Sequence, residues 1–116
     1  AYFVMDEALQ ERLLADPFVA VASDGSPTGF HPRGHGTFAH VIEHHVLARG
    51  LFDLPEAVRR MTSLPAAIIG LTDRGTLAPG QAADIVVFDP ARVRARATYV
   101  DPLALAEGFD VVIVNG

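Results

Sequence analysis

The sequence lacks several residue types that often decide function: it has no cysteine, no tryptophan and no lysine. Without cysteine there is no disulfide, no thiolate nucleophile and no thiolate metal ligand, so a bound metal would need histidine or carboxylate. The nine basic residues are scattered arginines, and the formal net charge is -5. These features argue against nucleic acid as a partner, because its affinity depends on clustered positive charge.

Long apolar runs are also missing. No segment is long enough and apolar enough to cross a bilayer, and the first residues lack the basic flank and apolar stretch of a signal peptide. We therefore expect a soluble, cytoplasmic protein with no membrane partner. Half of the 116 residues are hydrophobic and a fifth are charged, which is the composition of a globular domain.

The spacing of apolar residues and turn signals indicates an α/β fold. Four helices are predicted, over residues 5–15, from a cap at Thr37 to a stop at Gly50, from Leu54 onward, and from Leu64 to about Gly70. Strands are predicted over residues 18–22, within 84–90 and over 111–114, with an irregular excursion over 91–108. Asn115-Gly116 is a hairpin turn signal, so we expect a partner strand beyond it and interpret the chain as a piece of a longer polypeptide.

An acidic residue, Asp24, follows the first predicted strand and precedes Gly25. Barrels and open α/β sheets present catalytic acids in this way, at the carboxyl end of a buried strand. Asp-Gly is also a common turn pair, so a turn role for Asp24 stays open. The glycine-rich loop over residues 31–38 then brings Arg33, for which a solvated surface position is the alternative to ligand binding.

Two histidines, His40 and His44, are spaced to share one helix face. This spacing could hold a metal, but the order of residues differs from the His-Glu-x-x-His of zinc proteases. We interpret the pair as part of a partly exposed helix face, because most histidines ligate nothing.

Four stretches of the sequence resemble the carboxyl-terminal part of the amidohydrolase superfamily. They are Ser23-Asp24-Gly25, the loop His31-Pro32-Arg33-Gly34-His35-Gly36-Thr37-Phe38, the segment Met61 to Ala66, and the segment Asp73 to Pro90. The Ala-Asp-Ile-Val-Val run in the last segment is common to many amidohydrolases. The His-Pro-Arg loop is narrower and resembles the N-acyl-D-amino-acid deacylases, although His35 stands where many relatives carry a large aromatic or apolar residue.

The resemblance implies a fold and a division into domains. The chain would be a carboxyl-terminal fragment of a metal-dependent hydrolase, an α/β protein built on a (β/α)8 barrel with a small β-sandwich beside it. Residues 1–71 would end the TIM-barrel catalytic domain, with residues 18–22 as its last strand. Residues 72–116 would form part of the β-sandwich. The remainder of the same polypeptide would be the chain's partner, and its uncovered strand edges would favour association into oligomers.

The resemblance also implies a reaction, the zinc-dependent hydrolysis of the amide bond of small N-acyl-D-amino acids. Asp24 would be both a zinc (Zn2+) ligand and the catalytic group that handles the proton of the attacking water. Arg33 would bind the substrate's α-carboxylate. The isolated chain should be inactive, because it offers one ligand at this site where catalytic zinc normally has three from the protein.

Two other functions remain open on the sequence. One is hydrolysis of a cyclic amide by another member of the superfamily, similar to hydantoinases and dihydropyrimidinases, which share the β-domain signature but would not be expected to carry the His-Pro-Arg loop. The other is a non-catalytic structural fragment. Upstream sequence and assays of metal content and hydrolysis would separate these functions.

Overall fold

The computed structural model describes residues 6–26 and 28–116. Its helices are α1 (Glu7–Leu14), α2 (Arg33–His40), a π-helix (Val41–Ala48) that continues α2, α3 (Leu54–Met61) and α4 (Ser63–Ile69). Strand β1 (Ile85–Phe88), a 3-10 turn (Pro90–Arg92) and strand β2 (Phe109–Ile113) follow. The four predicted helices and the last two predicted strands are present in the predicted order, while the predicted helix start at Met5 lies outside the described residues.

Side-chain caps and a glycine define several of the helix ends. Asp6 caps α1 by accepting from the main-chain N–H of Leu9 at 2.9 Å. Asp53 caps α3 in the same way, and Pro55 lies in the first turn, where its missing N–H costs nothing. Gly70 ends α4 with a left-handed φ of +79°, which glycine adopts without strain. The predicted boundaries at Leu54 and Gly70 are therefore confirmed.

Helix α2 begins earlier than the sequence predicts. Arg33 is its first residue and Pro32 precedes it, so the prediction of a cap at Thr37 is wrong. The Thr37 hydroxyl lies inside the helix and donates to the Arg33 carbonyl at 2.8 Å, one turn back. The helix then widens into the π-helix, and Gly50, with a φ of +59°, follows its end as predicted.

The prediction of a strand over residues 18–22 is not met in this structure. Phe18 lies in a turn, and residues 19–26 have no regular secondary structure. A strand requires a neighbouring strand, and no part of the chain that the structure describes pairs with this segment. Its backbone is held by a hydrogen bond from the Val21 N–H to the Arg60 carbonyl, at 3.0 Å. Val21 is buried, whereas Phe18 is exposed.

The two strands pair antiparallel, with Ile85 opposite Ile113 and Phe88 opposite Phe109. The register shifts between Val87 and Phe88, which is an irregularity of the bulge type. Apart from the 3-10 turn and one isolated bridge, between Arg94 and Glu107, the connection over residues 91–108 is irregular, as predicted.

Two clusters of buried residues form the core. One contains Val21, Val41 and Ala57, and the other contains Ala39, Ile42 and Val93. Phe88 and Phe109 of the strands pack on the second cluster, so the strands and the helical part share it. None of the helices in the described ranges is both long and apolar enough to span a membrane.

Candidate active-site loop

The two residues predicted as site residues, Asp24 and Arg33, form an ion pair with each other. Arg33 Nη2 lies 2.7 Å from Asp24 Oδ2, and Arg33 Nε donates to the main-chain carbonyl of Asp24 at 3.2 Å. The Asp24 side chain is 80% exposed and that of Arg33 is 49% exposed, so both can be reached from solvent. The arginine therefore holds the carboxylate and the backbone of the same residue.

The backbone at Asp24 is unusual. Its φ of +49° lies in the left-handed region, where residues other than glycine are uncommon and which often marks functional sites. A Cβ at the next residue, Gly25, would lie 3.1 Å from the Cα of Gly34, so the turn and the start of α2 approach closely. Glycine at position 25 permits this approach, which sets Asp24 beside Arg33.

Residues outside the predicted pair position the loop. The Arg33 N–H donates to His31 Nδ1 at 3.1 Å, so His31 Nδ1 is the acceptor and the hydrogen of the neutral ring belongs on Nε2. His31 Nε2 lies 3.4 Å from the Tyr99 hydroxyl, and the two rings meet edge to face. Sequence reasoning missed Tyr99, because nothing local predicts a contact across 68 residues.

A separate cavity lies elsewhere in the described ranges. It has a volume of about 980 Å³, and neither Asp24 nor Arg33 lines it. His35, the residue that departs from the deacylase pattern, does line it, together with mainly apolar residues from α3, α4 and both strands. The Asp24–Arg33 pair therefore occupies an open surface rather than an enclosed pocket.

A second group of polar residues involves the π-helix. The His40 and His44 rings stack with centroids 4.9 Å apart, and the His45 ring lies edge-on to both. His44, His45 and Glu11 of α1 each offer a ligand atom, and these atoms lie within 4.8 Å of one another. Sequence reasoning had considered His40 with His44, but it had no means of placing Glu11, because that contact joins two separate helices.

The sequence profile described as "Amidohydrolase family" matches residues 8–116 of this chain. This match, which covers most of the chain, shows the class of protein: the chain belongs to the amidohydrolase family. Among curated relatives, it is 47% identical to a D-aminoacylase and 44% identical to an N-acyl-D-aspartate deacylase, both from Alcaligenes xylosoxydans xylosoxydans. Each match covers 99% of this chain and 24% of the relative, so the chain spans about a quarter of their length.

Solved structures agree with these matches. A crystal structure of D-aminoacylase superposes with a TM-score of 0.94 at 47% identity. The structure of N-acyl-D-glutamate deacylase from Bordetella bronchiseptica, complexed with zinc and a phosphonate inhibitor, gives a TM-score of 0.94 at 44% identity. Both superpositions cover 99% of this chain and 25% of the other. A shorter match, 49% identical over 45 residues, is to a dihydroorotase of Geobacter metallireducens.

Proposed function

We propose that this chain is the carboxyl-terminal portion of a zinc-dependent enzyme that hydrolyses the amide bond of N-acyl-D-amino acids. The observation that carries the proposal is the 2.7 Å contact between Arg33 and Asp24, which joins a carboxylate-binding group to a candidate catalytic acid. The deacylase and aminoacylase names of relatives that match 99% of the chain support the choice of reaction.

The proposal includes the domain arrangement predicted from the sequence. Residues 1–71 belong to the end of a TIM-barrel domain, and residues 72–116 to a β-sandwich. In the complete enzyme, residues 18–22 become the last barrel strand when the neighbouring strands pair with them. Phe18 is 83% exposed, which supports this arrangement, because covering an apolar side chain with a neighbouring part of the protein stabilises the folded state.

The residues at this site fit one part of a zinc site. Asp24 offers an exposed carboxylate, an oxygen ligand that zinc accepts, at the point where the left-handed turn presents it. Across the described ranges Asp24 belongs to no group of three potential ligands, so further ligands come from the rest of the polypeptide. When bound, zinc would lower the pKa of water and polarise the substrate carbonyl.

Asp24 and Arg33 have separate tasks in the reaction. The Asp24 carboxylate accepts the proton of the attacking water and delivers it to the leaving amine. Arg33 binds the α-carboxylate of the substrate, because a guanidinium carries five donors in a fork that matches two oxygens. Arg33 Nε can keep its hydrogen bond to the Asp24 carbonyl when substrate binds. Arg33 Nη2 then leaves the Asp24 carboxylate and contacts the substrate carboxylate.

The test is hydrolysis of N-acetyl-D-amino acids by the complete polypeptide. Asp24→Asn should lower kcat by roughly a hundredfold or more, since a positioned acid or base contributes that much. Arg33→Lys should mainly raise KM, because lysine keeps the charge and loses the fork. Arg96→Lys, at an exposed arginine paired with Glu107, is the matched control and should change neither constant. An unchanged KM in Arg33→Lys would remove the carboxylate-binding role.

A cyclic amidase is the second candidate function, and the dihydroorotase match favours it. That match covers 39% of this chain, whereas the deacylase matches cover 99%. Assays of the same preparation with N-acetyl-D-amino acids, dihydroorotate and hydantoin separate the two. If only a cyclic amide is turned over, the cyclic amidase replaces the deacylase as the proposed function. If none of these substrates is turned over, the hypothesis of a non-catalytic structural fragment remains.

A further inference from the structure

Three side chains that the proposed reaction does not use come together between α1 and the π-helix. Glu11, His44 and His45 each contribute one potential metal-ligating atom, and these atoms lie within 4.8 Å of one another. His45 is 4% exposed, and its buried Nδ1 has no hydrogen-bond partner in residues 6–26 and 28–116. A buried polar nitrogen without a partner is costly, which calls for a ligand or another explanation.

The two histidines lie next to each other in the π-helix. Its wider turn is visible in the hydrogen bond from the Arg49 N–H to the His44 carbonyl, five residues back, at 2.9 Å. The His44 and His45 rings lie 5.1 Å apart, nearly perpendicular, and both face α1 closely enough to share a site with Glu11. Short π-helical segments often occur at functional sites, because they alter which side chains meet.

Charge at the cluster suits a cation. Arg49 donates to both oxygens of Glu11, at 2.8 and 2.9 Å. Each carboxylate oxygen keeps a second lone pair for a ligand, and hydrogen-bonded carboxylates are common at metal sites. Glu7 Oε1 lies 3.6 Å from His44 Nε2 and adds a second negative charge.

The two carboxylates outweigh the single charge of Arg49. The histidines add no positive charge when neutral, and the neutral imidazole is the form that binds metals.

We propose that Glu11, His44 and His45 bind a divalent transition metal of the zinc type between α1 and the π-helix. Two imidazole nitrogens and one carboxylate oxygen form a donor set that zinc accepts, with a fourth position left for water. Tetrahedral zinc places its ligand atoms about 3.4 Å apart, given bonds of roughly 2.0 to 2.1 Å. The three atoms now lie within 4.8 Å of one another, so side-chain rotations need to close at most about 1.4 Å between any two of them.

Metal binding at this site would fasten α1 to the rest of the structure. None of the α1 residues is buried, and the Glu11–Arg49 pair is a polar contact between this helix and the π-helix end. A metal held by residues of both helices would stabilise the folded state, since the unfolded chain does not preserve the arrangement.

The test measures zinc content, and it uses the complete polypeptide so that all elements are present. After each protein is saturated with zinc and dialysed, mass spectrometry of the metal measures the zinc content per chain. The wild type should hold about one zinc ion more per chain than the variants His44→Ala and Glu11→Gln. Glu107→Gln, at an exposed glutamate paired with Arg96, is the matched control and should retain the wild-type content. His44 and Glu11 are chosen because each is less buried than His45.

A spectroscopic measurement separates this site from any other metal in the polypeptide. Copper(II) added to the protein should show imidazole nitrogen coupling in electron paramagnetic resonance, and the difference between wild type and His44→Ala should isolate this site. Both variants should keep deacylase turnover, so a failure of the metal proposal is distinct from a failure of the proposed function. Equal zinc content and equal copper spectra in wild type, His44→Ala and Glu11→Gln would overturn the proposal.

Discussion

Arg33 holds Asp24 through two atoms, since Nη2 contacts the carboxylate at 2.7 Å and Nε donates to the main-chain carbonyl at 3.2 Å. The two residues are nine positions apart in the sequence. This arrangement couples the conformation of the aspartate turn to the position of the first helical residue. A substitution at either position should therefore affect both the chemistry and the backbone of the loop.

The left-handed backbone at Asp24 can be tested with a pair of substitutions. Asp24→Gly and Asp24→Ala both remove the carboxylate, but only glycine adopts a φ of +49° without strain. We expect Asp24→Gly to be more stable than Asp24→Ala by about 1 kcal/mol in denaturant unfolding. The same pair at Ser26, which has no positive φ, should show no such advantage for glycine. Equal stability of the two Asp24 variants would contradict the backbone argument.

Gly108 tests a close approach between two segments. A Cβ there would lie 2.5 Å from the main-chain carbon of Arg92 and from the nitrogen of Val93, at a φ of +88°. Gly80 has a similar φ of +87° with nothing within 4 Å, so Gly80→Ala should cost only the backbone strain, about 1 to 2 kcal/mol. Gly108→Ala should cost at least about 1 to 3 kcal/mol more, because the backbone must move. Thermal unfolding of both variants measures the difference.

Arg60 anchors the segment after α1 and is 3% exposed. It donates to the carbonyls of Leu14 and Asp16 and to Glu56, and its guanidinium lies 4.7 Å from the Phe52 ring centroid. Arg60→Met should destabilise the fold by about 1 to 3 kcal/mol, because these part-buried acceptors lose a charged donor.

The control for Arg60 is an arginine with an exposed ion pair. Arg92 is 63% exposed and pairs with Asp110. The variant Arg92→Met should therefore lower the free energy of unfolding by less than about 1 kcal/mol. Urea unfolding followed by circular dichroism gives both values. A cost for Arg60→Met as small as that of Arg92→Met would show that solvent replaces the donor.

Glu56 gives a pH-dependent prediction. Hydrogen bonds from Arg59, and then from Arg60, lower its pKa from 4.5 to about 2. Because the pKa of Glu56 is lower in the folded state than in the unfolded state, ionised Glu56 stabilises the fold fully above about pH 4.5. This stabilisation is lost as the pH falls through about 2. The melting temperature of the wild type should therefore exceed that of Glu56→Gln at neutral pH, and the gap should narrow across this window. A gap that does not change with pH would contradict the assignment.

Local chemistry predicted much of the helical structure. Pro55 is a helix-start signal and Gly70 is a stop signal, and each acts through a few neighbouring residues. In the structure α3 begins next to Pro55 and α4 ends before Gly70. Thr37 misled the prediction, because a threonine can either cap a helix or bond back to its preceding turn. The strand predicted over residues 18–22 is also absent from the structure, because a strand forms only when another strand pairs with it.

The sequence by itself determined the class of the chain and its two candidate site residues. The His-Pro-Arg loop, Asp24 and the segment over residues 73–90 indicated an amidohydrolase through their resemblance to motifs of that superfamily, which are local in the sequence. The family match over residues 8–116 confirms this class. Only the tertiary structure showed that Arg33 forms an ion pair with Asp24. It also showed that Tyr99 contacts His31 and that Glu11 lies close to His45. Those contacts join residues between 9 and 68 positions apart, and the packing of separate segments, rather than local propensity, brings them together.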